Sequence, residues 1–196
     1  LWRRPSLYGL MASRLFLVLG GVKSGKSAFA ESKVATLSEG PILYVATGVA
    51  VDDEMKERIR LHRESRPQEW STLEEPTKLA EKLAPMLAGD GAPGAVIIDS
   101  IDVWVANLLM ENQSENKHRL EEIVTTEAEQ LLKLVVDSPQ AFVFVSSEVG
   151  LSLVPTEPLG RHFQDLLGKI NQRIAAAATE VFLVVAGLPT KIKSND

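Results

Sequence analysis

Apolar residues recur along this chain in short unbroken runs, and between the runs they are spaced three and four apart. Leu15 to Leu19, Ile42 to Ala46, Ala95 to Ile98, Ala141 to Val145 and Val181 to Val185 are rich in β-branched, leucine or aromatic residues and have no polar break. A run of that length without alternation predicts a strand buried on both faces. Trp70 to Leu73 and Thr190 to Lys193 read as shorter, more polar strands near the edges. Helical periodicity is expected from Ser24 to about Leu37, from Asp52-Asp53 through Ser65, and from Thr77 to Leu87. It continues from Ser100 to Met110, from Leu120 to Val135, and from Leu159 into the small residues ending at Ala178. Strands alternating with helices predict an α/β fold: a mostly parallel sheet with helices on both faces, in one domain over residues 15–196.

Composition narrows the classes. A formal charge of −5 over 196 residues argues against a nucleic-acid surface, which would show a basic excess. The absence of cysteine removes disulfides, thiolate nucleophiles and cysteine metal sites, and fits a cytoplasmic setting. No apolar run approaches the roughly 20 residues of a membrane span. Residues 1–14, LWRRPSLYGLMASR, carry three arginines and no acid. They read as an extension left over from cloning or translated from upstream, with Met11 near the true start, and receive no function. A targeting segment is the lesser reading.

The chemistry is concentrated just after the first apolar run. Gly20-Gly21-Val22-Lys23-Ser24-Gly25-Lys26-Ser27 fits G-x-x-x-x-G-K-[ST], with a predicted strand before it and a predicted helix after it. That flanking context is what the phosphate loop (P-loop) motif requires. Its glycines let successive backbone N–H groups turn toward phosphate oxygens, and the helix N-terminus adds partial positive charge. Lys26 is placed to reach the outer phosphates and the Ser27 hydroxyl to ligate Mg²⁺. The competing reading is a glycine-rich turn that happens to carry Lys-Ser.

Two further residues have two readings each. Asp99 ends a buried strand, where a carboxylate downstream of a P-loop organises Mg²⁺. An aspartate there also caps a following helix. His62 falls in a narrow wedge with Met55, Ile59 and Arg66 at 100° per residue, on the apolar side of its helix. A histidine so placed is by itself more often a core residue than a nucleophile. His118 and His162 read as structural.

Several separate blocks resemble one family, the bifunctional adenosylcobinamide kinase / adenosylcobinamide-phosphate guanylyltransferases of cobalamin assembly. They are GGVKSGKS (20–27), YVAT with DDEM (44–47 and 52–55), RIRLHRESRPQEW (58–70), Asp99 at its strand end, EVGLSLVP (148–155), GRHFQDLLGKINQRIA (160–175) and LVVAGLPTKIK (183–193). The resemblance implies a two-stage enzyme. A nucleoside triphosphate, ATP or GTP, phosphorylates a hydroxyl on adenosylcobinamide. GTP then guanylylates an enzyme histidine, and adenosylcobinamide phosphate takes the GMP to give adenosylcobinamide-GDP.

The residue matching the guanylylated histidine is His62. Nucleotide contacts are implied at Ala46, Thr47, Gly48, Arg63, Glu64, Ser65, Arg66, Glu74 and Asp99, in addition to the loop itself. Catalytic roles fall to His62, Lys26 and Asp99, and Mg²⁺ to Ser27 and Asp99. A homo-oligomer, a trimer in the family, is implied as well. The sequence departs from the family at Leu61, where some members carry a second histidine. It departs also at Ser147 (Asn is usual), Ser152 (Gly is usual) and Gly48 (a hydroxyl residue is common). A P-loop kinase that lacks guanylyl transfer is the alternative enzyme, and a nucleotide-binding partner module the alternative outside enzymes.

Overall fold

The computed structural model describes residues 14–50, 53–64 and 66–194, without the side chains of residues 54, 55, 58, 59, 61 and 62. Its strands are β1 (Leu15–Gly20), β2 (Ile42–Ala46), β3 (Ser71–Glu74), β4 (Ala95–Asp99), β5 (Ala141–Ser147), β6 (Glu180–Val185) and β7 (Leu188–Ser194). The helices are α1 (Lys26–Ala35), α2 (Asp53–Glu64), α3 (Leu79–Met86), α4 (Ile101–Glu111), α5 (Lys117–Val136) and α6 (Pro158–Ala177). All seven strands form one sheet in the order β3-β2-β4-β5-β1-β6-β7. Every pairing is parallel except that of β6 with β7.

The apolar runs occupy the middle of the sheet because both their faces are covered. Every residue of β1 and of β5 is buried. On one face, Leu17, Val96, Ile98, Phe142 and Phe144 pack beneath Trp104 and Leu108 of α4, Leu131 of α5 and Leu167 of α6. On the other face, Val18, Tyr44, Ile97 and Val143 pack beneath Ala30 and Val34 of α1. The more polar runs, β3 and β7, lie at the two edges and are largely exposed, as a strand with one unpaired side requires.

Element ends differ from the periodicity in instructive ways. α1 begins at Lys26 instead of Ser24, because Gly25 at its N-cap is left-handed, φ 92°. α3 begins two residues later than expected, because Glu75 Oε1 accepts from the backbone N–H groups of Thr77 (2.9 Å) and Lys78 (2.7 Å) and closes a turn ahead of it. α5 starts where Asn116 accepts from the Arg119 N–H at 3.0 Å, a side-chain cap. β7 is longer than the predicted edge strand. It returns antiparallel through Ala186 and Gly187, whose positive φ values of 50° and 79° suit a tight hairpin. The helices lie on both faces, as the alternation predicts. Among the described residues, no helix is long and apolar enough to cross a membrane.

Candidate active site

In a parallel sheet all the strands finish at the same edge, so β1, β2, β4 and β5 bring their last residues together. A cleft of about 560 Å³ opens there, lined by Val22, Lys23, Lys26 and Ser27 of the loop and by Ala46, Gly48, Glu74 and Asp99 at strand ends. Lys56, Arg60 and Arg63 of α2 and Arg66 beyond it form another wall, and Tyr44, Ala50, Ser100, Asp102, Val103 and Ser147 complete the lining. The lining holds six cationic side chains against three carboxylates, although the chain as a whole carries −5. That local reversal of sign selects for a polyanion.

The loop is built by close backbone approach. A Cβ on Gly20 would fall 2.4 Å from Ser24 Oγ and 2.8 Å from the Val184 carbonyl, so no larger residue fits. Gly25 combines its left-handed φ with a Cβ position 3.2 Å from Gly187 Cα, which ties the loop to the β6–β7 turn. The Gly187 N–H also donates to the Ser24 carbonyl at 2.8 Å. No side chain caps α1 and no acid sits in its first turn, which leaves its N-terminal N–H groups open to an anion. Among the described residues, Lys26 Nζ makes only a long 3.4 Å hydrogen bond to the Gly21 carbonyl.

Asp99 is held from one side. Tyr44 donates to its Oδ2 at 2.8 Å, while the other oxygen has no hydrogen-bond partner among the described residues. Burial, followed by the Asp99 charge, pushes the Tyr44 phenol far above its usual range, so it remains a donor. The Arg66 guanidinium lies 3.6 Å from the centre of the Tyr44 ring, and Trp70 stacks on the same tyrosine with centroids 6.5 Å apart. The helix-cap reading of Asp99 does not hold, since the N-cap of α4 is Ser100.

The structure brings Val22, Lys23, Lys26, Ser27, Ala46, Gly48, Arg63, Arg66, Glu74 and Asp99 to the cleft. Gly20, Gly21, Ser24 and Gly25 shape the loop without lining the cleft. Glu64 is exposed and paired with Arg60. Thr47 does not line the cleft, and its side chain is fully buried. Its Oγ1 donates to the Ser100 carbonyl and accepts from the Ser100 N–H, both at 2.8 Å, so the hydroxyl locks the turn behind Asp99. His62 stands within α2, one residue before Arg63, but its side chain lies outside the described residues, as does Ser65. Arg63 reaches Glu74 at 3.4 Å and links α2 to the end of β3. His118 is exposed beside Glu122, whereas His162 is buried in α6 and held below the usual imidazole range by burial and then by Lys117.

Sequence reasoning passed over Asp102. An acid in the first turn of a helix is ordinary, so its spacing gave no signal. In the fold it lines the cleft and accepts from Ser147 Oγ at 2.7 Å.

A phosphate loop after the first central strand, a strand-end carboxylate two strands away and a cationic cleft between them define a P-loop nucleotide-utilising protein. Flagellar accessory protein FlaH from Methanocaldococcus jannaschii shares this fold, with a TM-score of 0.50 and 14% identity over 95% of this chain and 81% of that one. The chain belongs to the cobinamide kinase / cobinamide phosphate guanyltransferase family, whose sequence model matches residues 16–192. It is 37% identical to the bifunctional adenosylcobalamin biosynthesis protein CobU of Escherichia coli K12 and 38% identical to that of Salmonella typhimurium LT2. Each alignment covers 91% of this chain and 99% of the relative. The bifunctional adenosylcobalamin biosynthesis protein CobP of Pseudomonas aeruginosa PAO1 is 38% identical over 91% of this chain and 97% of its own.

Proposed function

We propose that this protein phosphorylates the hydroxyl of adenosylcobinamide with ATP or GTP, and then transfers GMP from GTP, through His62, to adenosylcobinamide phosphate. The observation that carries this reading is the shared cleft: the phosphate loop forms one wall and α2, the helix that bears His62, forms another. One nucleotide site then serves two reactions. In-line phosphoryl transfer is a matter of positioning and charge. Guanylyl transfer adds a covalent intermediate that divides a hard step into two easier ones.

In the kinase step, Lys26 and the N–H groups at the start of α1 hold the outer phosphates of the nucleoside triphosphate. Lys23, Arg63 and Arg66 add positive charge along its length. Ser27 and the free oxygen of Asp99 are the residues that would hold Mg²⁺. No group of three or more His, Cys, Asp or Glu gathers among the described residues, which suits an ion bound by one or two protein oxygens and completed by phosphates and water. Bound Mg²⁺ would supply charge to the phosphate oxygens. In the guanylyl step, the His62 imidazole attacks the α-phosphorus of GTP, pyrophosphate leaves, and the corrinoid phosphate then displaces the histidine. We further infer a cytoplasmic homo-oligomer. The exposed apolar side chains Leu151, Leu153 and Val154 support self-association.

The test is incubation with adenosylcobinamide, Mg²⁺ and α-labelled GTP, followed by mass identification of the corrinoid products and of labelled protein. The expected label survives alkali and is released by acid, as a phosphoramidate is. His62→Ala abolishes it while corrinoid phosphate still forms. Undiminished labelling of His62→Ala refutes the histidine assignment. Phosphorylation without any labelling leaves a kinase alone.

A further inference from the structure

Beyond the residues of that scheme, the cleft holds a carboxylate–hydroxyl pair with no assigned task. Ser147 ends β5, the strand between β4, which carries Asp99, and β1, which leads into the phosphate loop. It pairs in register with Gly20, the first residue of the loop. The position therefore falls between the carboxylate end and the phosphate end of the site. Ser147 is only 7% exposed, yet lines the cleft. Its carbonyl accepts from Asn171 Nδ2 of α6 at 3.1 Å, and the other end of that amide accepts from Ser146 Oγ at 2.7 Å, so the backbone here is clamped.

The direction of the Ser147 hydrogen bond decides what the pair does. The hydroxyl proton is committed to Asp102 Oδ2 at 2.7 Å, so toward the cleft Ser147 Oγ offers only lone pairs. Behind it, Asp102 Oδ1 is shut off from solvent and has no partner among the described residues. A buried carboxylate oxygen left unpaired is costly, and such groups in native proteins call for an explanation. Among the described residues, neither pairs with a cation. A nucleotide phosphate offers no proton to this acceptor, whereas an alcohol does.

We propose that Ser147 and Asp102 form the proton-accepting relay for the phosphoryl acceptor. The hydroxyl of the alcohol substrate hydrogen-bonds to Ser147 Oγ. As its oxygen bonds to the γ-phosphorus, the bond from that phosphorus to the β–γ bridging oxygen breaks, and its electron pair leaves on the nucleoside diphosphate. The alcohol's proton passes to Ser147 Oγ while the serine proton passes to Asp102. Ser147 is restored and the carboxyl group afterwards releases the proton through the cleft. General-base assistance of this kind typically contributes about 10²–10⁴ in rate. The inference rests on the phosphoryl transfer proposed above.

The experiment measures corrinoid phosphate formation by the full chain with adenosylcobinamide and ATP or GTP, alongside nucleotide affinity by equilibrium titration. Asp102→Asn keeps the shape and an acceptor for Ser147 but cannot take the proton. Its kcat is expected to fall about 10²–10⁴-fold, with nucleotide affinity held within about twofold. Ser147→Ala is expected to lose about 10-fold or more, and Ser147→Thr, which keeps the hydroxyl, to recover most of it. Wild-type kcat in Asp102→Asn overturns the proposal, as does a loss confined to nucleotide affinity, which would make the pair part of the nucleotide site. If Asp102→Asn does not fold, equal rates for Ser147→Ala and Ser147→Thr overturn it. A wild-type protein that forms no corrinoid phosphate overturns the kinase reading itself, and this inference with it.

Discussion

Lys26 and Asp99 illustrate how little each side chain has to do once the backbone is placed. Among the described residues Lys26 Nζ bonds only the Gly21 carbonyl, at 3.4 Å, so its charge is held in the cleft without a strong competitor there. Lys26→Ala should therefore reduce both phosphoryl transfer and protein guanylylation about 10²–10³-fold, the usual effect of removing one aimed donor. Full kinase activity in that variant would exclude the phosphate-loop role. Asp99 is different, because Tyr44 already binds one of its oxygens. Asp99→Asn keeps an acceptor for the phenol but removes the charge offered to Mg²⁺. The expected result is slower phosphoryl transfer with the Mg²⁺ titration displaced to higher concentration. An unchanged titration would remove Asp99 from the metal site.

At the level of elements, the site depends on how the end of β2 is joined to the turn after β4. The two strands are paired up to Ala46 and Asp99. Beyond that ladder, Thr47 continues the connection through its side chain to Ser100, and Asn107 of α4 donates to the Thr47 carbonyl at 2.8 Å. Thr47→Val is nearly isosteric but leaves the backbone N–H of Ser100 without its partner, while the Ser100 carbonyl keeps only the Trp104 N–H at 3.0 Å. A cost of about 1–3 kcal/mol is expected in thermal or denaturant unfolding, together with a weakened Mg²⁺ dependence because Asp99 sits on the same turn. Wild-type stability in this variant would mean that water replaces both bonds.

Across the whole molecule, the β6–β1 ladder joins the antiparallel β6–β7 edge to the central sheet, and Glu180 adds charged ties to it. It accepts from Lys33 of α1 at 3.1 Å and from Lys191 of β7, and Lys33 in turn lies 4.5 Å from the centre of the Phe16 ring of β1. The Lys191 bond, ahead of Lys33, holds the Glu180 carboxyl below its ordinary value of 4.5. A depressed folded-state value stabilises the fold above the unfolded value, and that contribution is lost as pH falls through the folded one. Glu180→Gln should thus unfold more easily near pH 7, by about 1–2 kcal/mol. The gap between variant and wild type should begin to close below about pH 4.5 and vanish in stronger acid. A gap that stays constant from neutral pH into acid would show that packing, not charge, holds this edge.

The alternation of strands and helices, the phosphate loop and the strand-end position of Asp99 were legible without any coordinates. Each of these is a local property: a run of apolar residues reports burial on both faces, and a glycine-rich turn is specified by its own residues. Strand order is not local, and neither are the contacts that depend on it. Tyr44 meets Asp99 across 55 positions, Thr47 meets Ser100 across 53, and Ser147 meets Asp102 across 45. Those pairs arise only when β2, β4 and β5 lie side by side and end at one edge. The Thr47 hydroxyl is accordingly a buried tie that no local pattern announces, and Asp102, which carries no sequence signal, faces the cleft. Hydrophobic periodicity encodes which residues are buried; which polar groups meet at the end of the sheet was decided by the tertiary structure alone.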